Sequence, residues 1–224
     1  MQRSLARKDG KSNQPMNMQA HAKLQEMLVT LVLHPGEMFS EGRIAEMLEL
    51  GRTPVREAIQ RLAMEGLLEI LPARGIMVAP INVVRQLQIL EIRRQLEPHI
   101  ARKAARNATE SQRVEMLRLA SEIERVAQQG SATSFMLTNR DIHAIKVAAA
   151  ANEVLENVMD MFYGLAMRFW YANHRRQADA LKQAAAHHAA ILKAIATSNE
   201  DAAASKTEEL LDFLEAFALA TLER

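Results

Sequence analysis

The chain contains no cysteine. Disulfides, thiolate metal sites and a cysteine nucleophile are therefore excluded, and a reducing, cytoplasmic setting is the simplest expectation. Aromatic residues make up 4% of the 224 positions, and glycine and proline number only 8 and 6. Sheet-rich folds draw on β-branched and aromatic side chains, so a mainly helical chain is expected. No run approaches the roughly 18 apolar residues of a membrane span, so no membrane partner is expected. The basic opening MQRSLARKDG has no apolar stretch behind it and does not read as a secretory signal. Neither sign of charge is in excess, because 28 basic and 27 acidic residues leave a net +1. Bulk charge thus gives no argument for a polyanion partner, and a local patch must supply one. The hydrophobic fraction of 49% and charged fraction of 25% fit a globular protein and exclude disorder over most of the chain.

What is present is helix-forming sequence with clear punctuation. Residues 1–17 are polar and predict a disordered tail, which could add non-specific phosphate attraction. Leu24, Met27, Leu28, Leu31 and Val32 recur at helical spacing and predict a helix ended by His34-Pro35-Gly36. Ser40 is a suitable cap for a short second helix. Thr53-Pro54 reads as cap and first residue of a third, which Gly66 closes. Leu67–Leu71 and Ile76–Val78 flank Pro72-Ala73-Arg74-Gly75 and predict a hairpin. Residues 18–80 therefore read as a winged helix-turn-helix with a small β-hairpin wing. Beyond Ala79-Pro80-Ile81-Asn82 every segment reads as helix. Six are expected over residues 83–224, as an antiparallel all-α bundle, with a capping box at Thr109 and Gln112, a cap at Asn152 and a kink at Pro98.

Arg52-Thr53-Pro54-Val55-Arg56 sits where a recognition helix starts. Arg52 and Arg56 are four apart and share a face, and arginine pairs bidentately with guanine. Thr53 can cap the helix and touch a phosphate. Arg74-Gly75 marks the wing tip, and Arg43 and Arg61 could add phosphate contacts. The segment Pro35–Val78 strongly resembles the DNA-binding domain of the GntR family of bacterial transcription regulators. The match rests on the leading PG, on Arg52-Thr53-Pro54-Val55-Arg56-Glu57-Ala58, on the L-x-x-x-GL pattern and on the P-x-x-G wing. Gly51 stands where that family usually has Ser or Thr, which removes one phosphate contact. The helical remainder, Val83 to Leu222, resembles the FadR-type (FCD) subfamily.

The resemblance implies a homodimer on a palindromic DNA operator, with a small-molecule effector, typically a carboxylic acid, in the bundle. It also implies a divalent metal such as Zn or Ni, held by Asn139, His143 and His188. Asn139 and His143 have i, i+4 spacing and share a helix face. The position of the expected final histidine is Leu210, which cannot ligate, and two imidazoles with one amide form a poor metal site. The three can instead hydrogen-bond a ligand directly or serve as ordinary core and surface groups. Arg93, in an R-x-x-L-E phrase, could bind a carboxylate or simply pair with Glu97. Arg168 is a weaker candidate for the same role. The Met161, Phe162, Leu165, Phe169 stripe reads as core. No Ser/His/Asp order, phosphate-binding Gly loop or H-E-x-x-H motif is present, so an enzyme is not expected. A DNA-binding or architectural protein without any metabolite or metal response is the alternative.

Overall fold

The computed structural model describes residues 15–177 and 179–222. Residues 1–14 of the expected tail lie outside the described residues. Met16 and Asn17, assigned to that tail from composition, already belong to the first helix, α1 (Met16–Val29). Its buried face is set by Ala20, Leu24 and Leu28, one turn apart each time. The helix stops four residues short of Leu33, because Leu31 turns into the left-handed region at φ 59. Leu33 then swings back into the core, 2% exposed.

Helix α2 (Glu41–Leu48) opens on Ser40, whose hydroxyl accepts the Arg43 N–H at 3.2 Å. Helix α3 (Arg52–Met64) begins two residues earlier than expected. Gly51 is the capping residue, not Thr53, and no side chain bonds the first turn. Pro54 falls at the third helical position, where a missing N–H still costs no helical bond. Strands β2 (Leu68–Leu71) and β3 (Gly75–Val78) form the expected hairpin. A third strand, β1 (Met38–Phe39), was not foreseen, since two residues carry no periodicity. It pairs antiparallel with β3, Met38 opposite Met77 and Phe39 opposite Ile76, giving the order β1-β3-β2.

Gly75 explains how β1 fits. Its φ is +108, and a Cβ there would lie 2.6 Å from the Phe39 carbonyl oxygen. Gly75→Ala is expected to destabilise this unit by about 1–3 kcal/mol, seen as a lower urea midpoint with helix content unchanged in water. An unchanged midpoint would mean that β1 retreats without cost.

The first unit closes on one core that includes Leu24, Leu28, Phe39, Ile44, Val55, Ile59 and Leu62. It is termed the reading head. The six expected helices come after it: α4 (Val83–Asn107), α5 (Glu110–Gln128), α6 (Ala132–Ala149), α7 (Glu153–Asn173), α8 (Ala180–Ala196) and α9 (Glu200–Leu219). Their starts obey local chemistry. Asn82 accepts from Val84 and Arg85, Thr109 and Gln112 form the capping box, and Asn152 accepts from Val154 and Leu155. Helix α4 runs on through Pro98, whose side is buried. A 3-10 turn at His174–Arg176 delays α8 to Ala180. Helix α5 packs on α8 and α4 on α9. Buried alanines at 120, 127, 184, 185 and 189 allow the α5–α8 approach. The head and the bundle touch through α1, which lies against both α3 and α7.

Candidate functional site

Two surfaces concentrate the chemistry. On the head, Arg52, Thr53 and Arg56 are exposed at the start of α3. The Arg52 guanidinium lies over Gly42 of α2. Because Gly51 offers no side-chain cap, the first-turn N–H groups and the positive helix end stay open to a phosphate. Arg43 is exposed beside them, its guanidinium 5.5 Å above the Phe39 ring, and Arg74 is exposed at the wing tip.

Two of the sequence-derived contacts, Val55 and Arg61, belong elsewhere. Val55 is 0% exposed and packs the head core, so it cannot reach a groove. Arg61 follows Arg52 by nine residues, which is half a turn out of phase at 3.6 residues per turn. It points to the opposite side of α3, where its Nε donates to Glu65 at 3.0 Å. Glu65 also meets His21 at 2.8 Å, so this cluster ties α3 to α1. Gly75 is explained by the β1 approach.

Arg56 is already engaged. Its Nε and Nη2 donate to the Glu41 carboxylate at 2.9–3.1 Å. DNA must displace Glu41 to use that fork. Glu41→Ala removes only an exposed pair, so stability should change by no more than about 1 kcal/mol. Affinity for duplex DNA at low salt should rise several-fold in fluorescence anisotropy. A weaker complex would show that Glu41 presents Arg56 rather than sequestering it.

The second surface is a partly open cavity in the bundle. Asn139, His143 and Lys146 line it from one face of α6, Arg93 and Glu97 from α4, and His188 from α8. Phe135, Phe162, Tyr163, Met167 and Trp170 supply its apolar wall, with Phe135 stacked on Trp170 at 4.8 Å. At its floor Glu97 accepts from Arg93 Nε at 2.6 Å and from Lys146 Nζ at 2.7 Å. All three are buried. Burial alone would raise the Glu97 pKa, but the two cations overrule it and hold the carboxyl well below the usual carboxylate range. Asn139 Nδ2 donates to His188 Nε2 at 2.8 Å, which puts the proton of a neutral His188 on Nδ1. Burial, then the Lys146 charge, pushes His188 down to about 3. His143 takes a different partner, Asp160, at 3.1 Å, and lies against the Tyr163 ring.

This donor set does not suit a divalent ion. Asn139 and His188 bond each other while His143 faces Asp160. Leu210, the position expected for a further histidine, is fully buried and does not line the cavity; the α9 residue that does is Leu214, which cannot ligate either. Among the described residues no group of three or more His, Asp or Glu side chains converges on a point. The ionised groups lining the cavity, Arg93, Lys146 and Glu97, sum to one positive charge, which favours an anion.

Arg168 does not line this cavity. It faces the other side of α7 and donates to the carbonyls of Leu67 at 3.4 Å and Pro80 at 3.2 Å, at the junction with the head. The apolar stripe on the same helix is divided: Met161 is 47% exposed, Phe162 lines the cavity, Leu165 packs on the head core and Phe169 is buried. Lys146 was missed in the sequence. A lysine three residues after His143 and seven after Asn139, among Ile145 and Val147, was the available signal.

Comparisons with known proteins place both surfaces in context. A family model described as "Bacterial regulatory proteins, gntR family" matches residues 17–78, and one described as "FCD domain" matches residues 88–213. The HTH-type transcriptional repressor RspR of Escherichia coli (strain K12) is 37% identical over 99 residues, covering 44% of this chain and 43% of that protein. The chain thus spans less than half the length of that relative. The Nta operon transcriptional regulator of Aminobacter aminovorans is 30% identical over 129 residues, 58% of this chain and 61% of that protein. The solved structure of E. coli McbR/YncC superposes with a TM-score of 0.79 at 20% identity, covering 94% of this chain and 100% of that one. At that identity the likeness speaks for the fold alone.

Proposed function

The chain belongs to the GntR family and carries an FCD domain, and on that footing we propose that it is a DNA-binding transcription regulator whose grip on a palindromic operator is set by a small carboxylate in the bundle cavity. The matched families and named relatives are regulators, not enzymes. The observation that carries ligand control is the double duty of α7. Its Phe162, Tyr163, Met167 and Trp170 line the cavity, while Leu165 and Arg168 hold the head. A ligand that favours one setting of α7 therefore favours one placement of the head, and it shifts the equilibrium only by its difference in affinity for the two settings.

Arg93 spends Nε on Glu97. Its terminal nitrogens form no other hydrogen bond among the described residues, so the fork can take a carboxylate bidentately. Lys146 adds charge, and the Asn139–His188 pair supplies hydrogen bonds. No ion is required in this arrangement. Two copies would place two heads on the operator half-sites. Repression relieved by ligand is the expected sense; RspR, the partial relative, is named a repressor.

The test is operator binding by anisotropy against a panel of small mono- and dicarboxylates, with and without a chelator. Release by one carboxylate, unaffected by chelator, is expected. Asn139→Ala should keep DNA binding and weaken release at least tenfold. A response lost to chelator and restored by Zn or Ni would mean that an ion completes the site. DNA binding that ignores every carboxylate would favour a regulator without metabolite control.

A further inference from the structure

A second, small and partly open recess lies where the head meets the bundle, between residues 80–82, the start of α4 and α7, with polar groups set among apolar side chains. None of its lining residues lines the bundle cavity. Two guanidiniums border it. Arg168 is only 2% exposed, and among the described residues its hydrogen bonds go to two backbone carbonyls, both long. Arg85 has its guanidinium against Gly66. Among the described residues neither arginine forms an ion pair. Burial, aided by the like charge of Arg85, pushes Arg168 down to about 10. Gln86, 5% exposed, lines the same recess, and its Oε1 is buried without a hydrogen-bond partner. Buried cations are normally paired and buried amides satisfied. Here an uncompensated cation, a like charge and an orphan amide oxygen meet in one place.

We propose that this recess binds a phosphate-sized oxyanion between Arg85, Arg168 and the Gln86 carboxamide, and that the bound anion pins the reading head to the bundle. The anion supplies the negative charge that both arginines lack. Its bare oxygens accept from the guanidinium forks, which suit phosphate geometry. A phosphate monoanion also keeps a P–OH that donates to Gln86 Oε1, which a simple carboxylate cannot do. The anion touches Arg168 on the head-facing side of α7, so its occupancy stiffens the contact through Leu67 and Pro80.

The test uses the full chain in buffers of matched ionic strength, titrated with inorganic phosphate and followed by thermal unfolding. A saturable response is expected, with Tm rising about 3–5 °C for each tenfold of phosphate above the dissociation constant. Acetate should give no rise that Arg85→Gln removes. Arg85→Gln changes an exposed side chain and should weaken the response at least tenfold, as should Gln86→Leu. Asn139→Ala, in the separate cavity, should keep it. The proposal is overturned by a rise equal in wild type and Arg85→Gln, by one that merely tracks ionic strength, by an equal acetate effect that Arg85→Gln weakens just as much, or by loss of the response in Asn139→Ala.

Discussion

Glu97→Ala is expected to cost about 3–5 kcal/mol of stability and to remove the carboxylate response with it. The carboxylate is the single anion between two buried cations, Arg93 at 2.6 Å and Lys146 at 2.7 Å. Deleting it leaves two positive charges in an interior with no compensating partner. The loss should appear as a Tm lowered by roughly 6–20 °C. A shift of only a degree or two would mean that water reaches the cavity floor. The pH dependence gives a second readout. The folded pKa of Glu97 lies below its ordinary value of 4.5, so its contribution is complete above that value and is lost as the pH falls through the acid range. The wild type should lose stability steeply there, and the alanine variant less. His188 acts earlier in the titration. Its pKa falls from 6.5 to about 3 on folding, so the unfolded chain takes up the proton first and stability begins to drop below about pH 6.5. The His188 part should persist in Glu97→Ala, which separates the two groups.

The parts of this architecture that were legible in sequence are those fixed by local chemistry. Ser40, Thr109 with Gln112, and Asn152 each cap a helix because a short polar side chain reaches an N–H two or three residues on. The i, i+4 pair Asn139 and His143 likewise shares a face whatever the helix packs against. What was not legible depends on partners remote in sequence. Strand β1 exists only because β3 offers it an edge, with Met38 paired to the distant Met77. Leu31 ends α1 by backbone conformation, with no breaker to announce it. Arg168 looked like a ligand arginine, yet its face of α7 is claimed by Leu67 and Pro80, far upstream in the head and its connection. Arg61 was a different failure. Its phase on α3 could have been computed from the helical period alone, and the motif's run of arginines obscured it.

That phase difference makes the reading face testable. The double substitution Arg52→Ala, Arg56→Ala should cost about 2–5 kcal/mol of specific operator binding, each base-reading arginine contributing about 1–3 and neighbours one turn apart sharing some of the loss. Both side chains are exposed, and the one ion pair lost, Arg56 to Glu41, is a surface pair, so the fold should be unaffected. Anisotropy on operator and scrambled duplexes across a salt series separates two modes of action. If the arginines read base edges, the preference for operator collapses while the salt slope hardly changes. If they clamp phosphates, both duplexes weaken alike and the slope falls by about two. Arg61→Ala is the matched control. It removes the same charge from the same helix, half a turn away, where it supports Glu65 and His21. It should leave both affinities in place and lower stability only slightly. If Arg61→Ala weakens DNA as much as the double substitution, the response is to net charge alone, and the N-terminal turn of α3 is not the element that enters the groove.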